Sequence, residues 1–242
     1  MSYQGPRRET SESGSPIYVH SAPLPFEQAD GISHLEDITE HIERHLGPIE
    51  NVFHEIVSDA VHVDVHVVAP QPEFPFYRLI TSGMSDRSMA TPDPEVPDRT
   101  ELMISLPADW QMDEESLKDP KWYWPVGILK HLARFPHKWN TWLGIGHTIP
   151  NGDPPATYAP AVRFTGSLIF PSVTVPEEFM ELTASDELKI QFLAVYPLYA
   201  DEMALKLKKG LDALLERFET SDVTDILDPT RPSCVRKLLG LF

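Results

Sequence analysis

His62, Asp64 and His66 fall at i, i+2 and i+4 in a run whose alternate positions are Val61, Val63, Val65 and Val67. On a strand this spacing puts two imidazoles and a carboxylate on one face, a donor set that suits Zn or Fe(II). Three arguments weigh against a metal. A half-buried hairpin shows a polar face in any case, His54 and Glu55 stand nearby as partners, and neighbours along one strand seldom converge on one ion. His41 and His45, one helical turn apart, also have ligand spacing, but among Glu36, Glu40 and Glu43 they read as a solvated face. Ser82-Gly83-Met84-Ser85-Asp86 sets two hydroxyls and an acid at a strand end, a common place for nucleophiles. It is not a G-x-S-x-G elbow, and a proline-rich loop follows it instead of a helix, so a glycine-permitted turn is expected. Neither G-x-G-x-x-G nor G-x-x-x-x-G-K-[ST] occurs, and no cofactor or metal is expected.

The densest unusual region is FPHKWNTWLGIGHTIPNGDPPATYAP, residues 135–160. Rings at Trp139, Trp142 and Tyr158 stand beside the permissive Gly144, Gly146 and Gly152 and the stiffening Pro150, Pro154, Pro155 and Pro160. A rigid loop with aromatic anchors loses little entropy on binding, which suits a recognition surface. The competing reading is a loop that plugs one end of a sheet.

Several elements must position these groups. Ser33 and Glu36 make a capping-box pattern, after which Leu35, Ile38, Ile42 and Leu46 repeat at helical spacing until Gly47-Pro48. Residues 52–57 and the Val61 to Val67 alternation predict a β-hairpin turning at Ser58-Asp59. Strands are expected at 76–82 and 100–106, separated by a long exposed loop over 85–98, and buried strands at 162–170 and 188–196. Pro125 and Pro136 bracket a short helix. The apolar stripe Met203, Leu207, Leu211, Leu214, Leu215 and Phe218 predicts one long helix, with Glu202 and Lys206 paired on its wet side. Strands come in runs without regular β-α-β alternation, so the class is α+β: a single domain with a central mixed β-sheet and helices packed on it. Residues 1–20 read as a disordered lead-in, 21–235 as the domain and 236–242 as a C-terminal tail.

The 242 residues carry 37 acidic and 20 basic side chains, a formal charge of −17, which repels phosphate polymers and anionic lipid; nucleic acid and membrane are not expected partners. The 24 prolines are roughly twice average usage, yet 41% hydrophobic content is too rich for a disordered chain. Cys234 is the sole cysteine, so no intramolecular disulfide forms. The start MSYQGPRRETSESGSP has no apolar core of a secretory signal, and a cytoplasmic location is expected.

Four ordered blocks resemble the suppressor-of-fused domain in its bacterial single-domain form: residues 77–86 (YRLITSGMSD), 101–110 (ELMISLPADW), 124–135 (WPVGILKHLARF) and 141–155 (TWLGIGHTIPNGDPP). YPLYADEM at 196–203 and VTDILDP at 223–229 continue the likeness. The resemblance implies an α+β domain that binds proteins and is not an enzyme. The animal members hold Hedgehog-pathway transcription factors, using a second domain that this chain lacks. For bacterial members, an immunity role against toxins is inferred from gene neighbourhoods. Phe135 stands where the animal proteins have tyrosine, and Gly146 where they have an acid. The expected partner surface is Ser82, Gly83, Met84, Ser85 and Asp86, with Phe135, Trp139, Trp142, Gly144, Gly146, His147, Asn151 and Asp153. The rival expectation is a metal-dependent or serine hydrolase built from His62, Asp64 and His66, or from Ser82, Ser85 and His147.

Overall fold

Runs such as Thr100–Pro107 are buried at successive positions because the sheet they enter is covered on both faces. The computed structural model describes residues 6–27, 33–55, 58–185 and 188–235. Its strands are β1 (Arg7–Thr10), β2 (Pro16–Val19), β3 (Ile49–Phe53), β4 (Asp64–Val68), β5 (Phe76–Ser82), β6 (Thr100–Pro107), β7 (Thr148–Pro150), β8 (Gly166–Phe170), β9 (Glu181–Ser185) and β10 (Leu188–Leu198). Its helices are α1 (Leu35–Leu46), α2 (Pro120–Trp139), α3 (Ala200–Lys209) and α4 (Leu211–Thr220). Strands β3 to β10 form one sheet in the order β3-β4-β5-β6-β10-β8-β7, with β9 also paired to β10. Neighbours run antiparallel except β6 and β10, where Thr100 to Met103 lie parallel to Gln191 to Ala194. Val65, Val67, Leu79, Leu102 and Ile104 pack with Leu129 and Leu132 of α2 on one face. Ile80, Met103 and Phe192 pack with Ile38 and Ile42 of α1 and Leu214 and Phe218 of α4 on the other. The fold is thus a single α+β domain around a mixed sheet.

Several elements differ from the sequence expectations. Residues 7–19, expected to be disordered, form the antiparallel hairpin β1–β2, Arg7 opposite Val19, because Pro16-Ile-Tyr-Val supplies a short β-rich run. The expected tail, 236–242, lies outside the described residues. Ser33 does not cap α1. The N-cap is His34, without a side-chain cap bond, and the Ser33 amide donates to Asp86 at 3.0 Å. The hairpin of β3 and β4 forms with shorter strands and a longer connection, with residues 56–57 outside the described set. β4 is buried on both faces, not half-buried. Helix α2 spans 20 residues with Pro125 and Pro136 inside it. It begins at Pro120, where Asp119 accepts a hydrogen bond from the Lys121 amide. The long C-terminal helix is two helices broken at Gly210, whose φ of 94° suits glycine. Glu202 does not lie on the wet side of this pair: it is fully buried and bonded to Arg231 at 2.5 and 2.8 Å.

Candidate functional site

The Ser82 to Asp86 segment is shaped from beneath by one carboxylate. Gly83 takes φ 101°, a left-handed value open to glycine, and turns the end of β5 into a single 3-10 turn at Met84–Asp86. Glu101, on the neighbouring β6, accepts from the Thr81 hydroxyl at 2.6 Å, the Gly83 amide at 2.9 Å, and the Ser85 amide and hydroxyl at 2.9 and 2.6 Å. Burial raises the Glu101 pKa, and the hydroxyl and amide donors oppose the rise. The Met84 carbonyl accepts from His137 of α2 at 2.8 Å, and Arg99 donates to the Ser85 carbonyl. Ser82, Gly83, Met84 and Ser85 are all buried, and Asp86 is the half-buried member that reaches the surface. Core packing therefore explains most of this turn.

The residues proposed for chemistry separate. Asp64 accepts from His54 at 2.7 Å and His62 at 3.1 Å, while His66 turns to Ser82 at 2.8 Å. Burial lowers the His66 pKa to about 4. Among the described residues no group of three or more His, Cys, Asp or Glu is placed to hold a metal ion. Ser58, His62 and Asp64 follow the order of nucleophile, base and orienting acid, with Ser58 Oγ 3.2 Å from His62. The Ser58 hydroxyl, however, is buried and donates to Glu55 at 2.7 Å, so its proton is not directed at the imidazole. Ser85 is held by Glu101 and Ser82 by His66, whereas His147 packs against Trp142. His41 and His45 are not a solvated pair either. His41 is buried, donates from Nε2 to the Phe179 carbonyl at 3.0 Å and stacks on Phe179 and Phe192.

Rings do converge at the C-terminal end of α2. Phe135 and Trp139 lie 6.3 Å apart along the helix, and Trp142 and His147 meet edge to face at 5.3 Å. Asn140 ends α2 in a left-handed conformation, φ 45°, and sends the chain back over the sheet. The following loop is pinned to β8: the Gly146 amide donates to Ile169 and the Ile169 amide to His147, at 2.8 and 2.9 Å. Gly146 has φ 82°, a left-handed value that favours glycine, and a Cβ there would displace the tip of the Leu211 side chain, 2.9 Å away. Between these fixed points Leu143 is buried and Ile145 stands 51% exposed. Burial lowers the His147 pKa to about 4, with Lys206 adding to the effect, so the imidazole is neutral at pH 7.

Asn151 and Asp153 sit apart from these rings. Asn151 lies at the far end of the loop, where its side chain donates to the Ala156 carbonyl at 2.9 Å. It borders a groove of about 390 Å³ with Tyr123, Trp124, Ile128 and Tyr158, Tyr158 stacking on Trp124 at 5.4 Å. The expected surface is thus three places: a buried turn, an aromatic face and a distant loop end. Sequence reasoning missed Tyr18 and His20. Tyr18 meets Trp142 at 4.9 Å, and His20 meets Phe135 at 5.5 Å and Trp139 at 5.8 Å. The signal was present as ring-bearing residues two apart in Pro-Ile-Tyr-Val-His, 16–20.

Fold and site together define an α+β domain whose accessible cluster is built from rings and pinned glycines. The family model described as suppressor of fused protein matches residues 59–232, more than half of the chain, and the chain belongs to that family. Among solved structures, a suppressor-of-fused homologue from Neisseria gonorrhoeae FA 1090 aligns with TM-score 0.59 and 15% identity, over 86% of this chain and all of that one. A structure of the Sufu–Fu complex aligns with TM-score 0.57 and 12% identity, over 86% of this chain and 93% of that one. Drosophila Suppressor of Fused aligns with TM-score 0.56 and 13% identity over 86% of this chain, which spans 53% of the fly chain. At these identities the likeness concerns the fold. No curated protein sequence matches significantly.

Proposed function

We propose that the protein is a non-catalytic protein-binding module whose partner docks on the aromatic face made by Phe135, Trp139, Trp142 and His147, with Ile145 at its edge. One observation carries the reading. These rings are half-buried at the surface, and Phe135, Trp139 and Trp142 already receive the rings of Tyr18 and His20 from a segment outside the 59–232 family match. Family membership supports protein binding as the general role, and the net charge of −17 suits a cationic partner. A basic protein toxin neutralised by this chain is the finer form of the proposal. The half-buried Asp86 and the exposed Asp153 add negative charge at the turn and at the loop end.

The test is capture of the partner followed by calorimetry. Trp142→Ala and His147→Ala should each weaken binding by about 2 kcal/mol or more, with thermal melts showing the fold intact. Association should also slow as NaCl is raised. Unchanged affinity in both variants, or a loss that only tracks unfolding, would return the loop to a plug on the sheet.

A further inference from the structure

We propose that residues 16–27 are a displaceable strap that occupies the partner site and competes with the partner for it. The inference rests on the protein-binding reading above and names how that site is kept covered.

The strap lies on three of the four rings of the aromatic face. Tyr18 and His20, two apart in an extended run, point to the same side, and both rings land on the face: Tyr18 on Trp142, His20 on Phe135 and Trp139. The strap and the hairpin that leads into it are tied at separate points. The Ser13 amide donates to the Leu207 carbonyl at 3.1 Å, and the Leu24 amide to the Lys138 carbonyl at 2.7 Å. Further on, Glu27 meets Arg87 through two bonds of 2.8 Å and accepts from the Ala60 amide at 2.8 Å.

Its hold on the domain is nevertheless local. The β1–β2 hairpin has four residue pairs and forms its own two-stranded sheet, separate from the eight-stranded one. Such a hairpin has little stability of its own. Residues 21–27 are all exposed, Phe26 at 65%. Pro23 and Pro25 hold this stretch extended, which lowers the entropy lost each time the strap returns. A segment with few buried contacts opens at lower free energy than the sheet it covers. The strap therefore acts as an internal competitor.

The test uses a fluorescein-labelled peptide of residues 12–27, titrated by anisotropy into full-length wild type and full-length Y18A/H20A. The peptide should bind the variant at least 10-fold more tightly than wild type, and adding Trp142→Ala should weaken it by 10-fold or more. No binding to the variant, equal affinity for both chains, or indifference to Trp142 overturns the proposal. Hydrogen exchange on the wild-type chain guards against a folding defect in the variant. The Leu24 amide should exchange at least 100-fold faster than that of Leu102, and exchange at the same rate would make the strap part of the cooperative core. A captured partner should bind Y18A/H20A more tightly than wild type. A partner weakened by Trp142→Ala but indifferent to Y18A/H20A would overturn the strap and leave the protein-binding reading standing.

Discussion

Glu101 shows how one buried acid can organise a surface turn without belonging to the surface. Its two oxygens satisfy two hydroxyls and two amides at the end of β5, so removing them strands several buried donors at once. Glu101→Ala should destabilise the protein by about 3 kcal/mol or more in reversible urea unfolding. A loss under about 1 kcal/mol would mean that the donors find other partners. The glycine, serines and acid of the turn were legible in the sequence, but Glu101 was not, because an acid within Thr-Glu-Leu-Met reads as the wet side of a strand. Its burial follows from pairing with β5 and the turn after it, whose Thr81 and Ser85 lie 20 and 16 positions earlier. His41 was misread for a similar reason. Its acidic neighbours suggested water, while the Phe179 and Phe192 that cover it arrive far later in the chain.

Helices were legible from their apolar stripes, and their ends were not. In α2 the prolines read as a start and a stop, yet Val126, Leu129, Leu132 and Ala133 are buried against the sheet. That burial outweighs the roughly 3 kcal/mol a proline costs inside a helix. In the C-terminal pair the break at Gly210 rotates the stripe, so Leu214 is fully buried while Leu215 only borders the cluster. Leu214→Ala should therefore cost about 2 to 5 kcal/mol, and Leu215→Ala distinctly less. Equal losses in urea unfolding would indicate one continuous helix. The short strands β7 and β9 escaped notice because Thr148–Pro150 contains proline and Glu181–Ser185 is partly exposed. Their pairing is imposed by the adjacent β8 and β10.

For the molecule as a whole, buried histidines set the response to acid. His66, His137 and His147 are each lowered by burial from 6.5 to about 4. Between these values the unfolded chain binds protons that the folded chain refuses, so stability is lost as pH falls from about 6.5 towards 4. The raised carboxyls of Glu101 and Asp86 oppose this, but they are fewer. Calorimetry should find Tm lower at pH 5 than at pH 7, with a smaller drop in His137→Gln; a flat profile would contradict the assignment. The parallel seam between β6 and β10 has a further consequence, for synthesis. The strand that covers the apolar edge of β6 begins only at Leu188, and Ile226 bridges to Ser105 later still. At ribosomal speeds of roughly 5–20 residues per second, the nascent chain presents that open edge for on the order of 10 s. During that interval the half-made protein is a natural client for chaperones and is exposed to edge-to-edge aggregation.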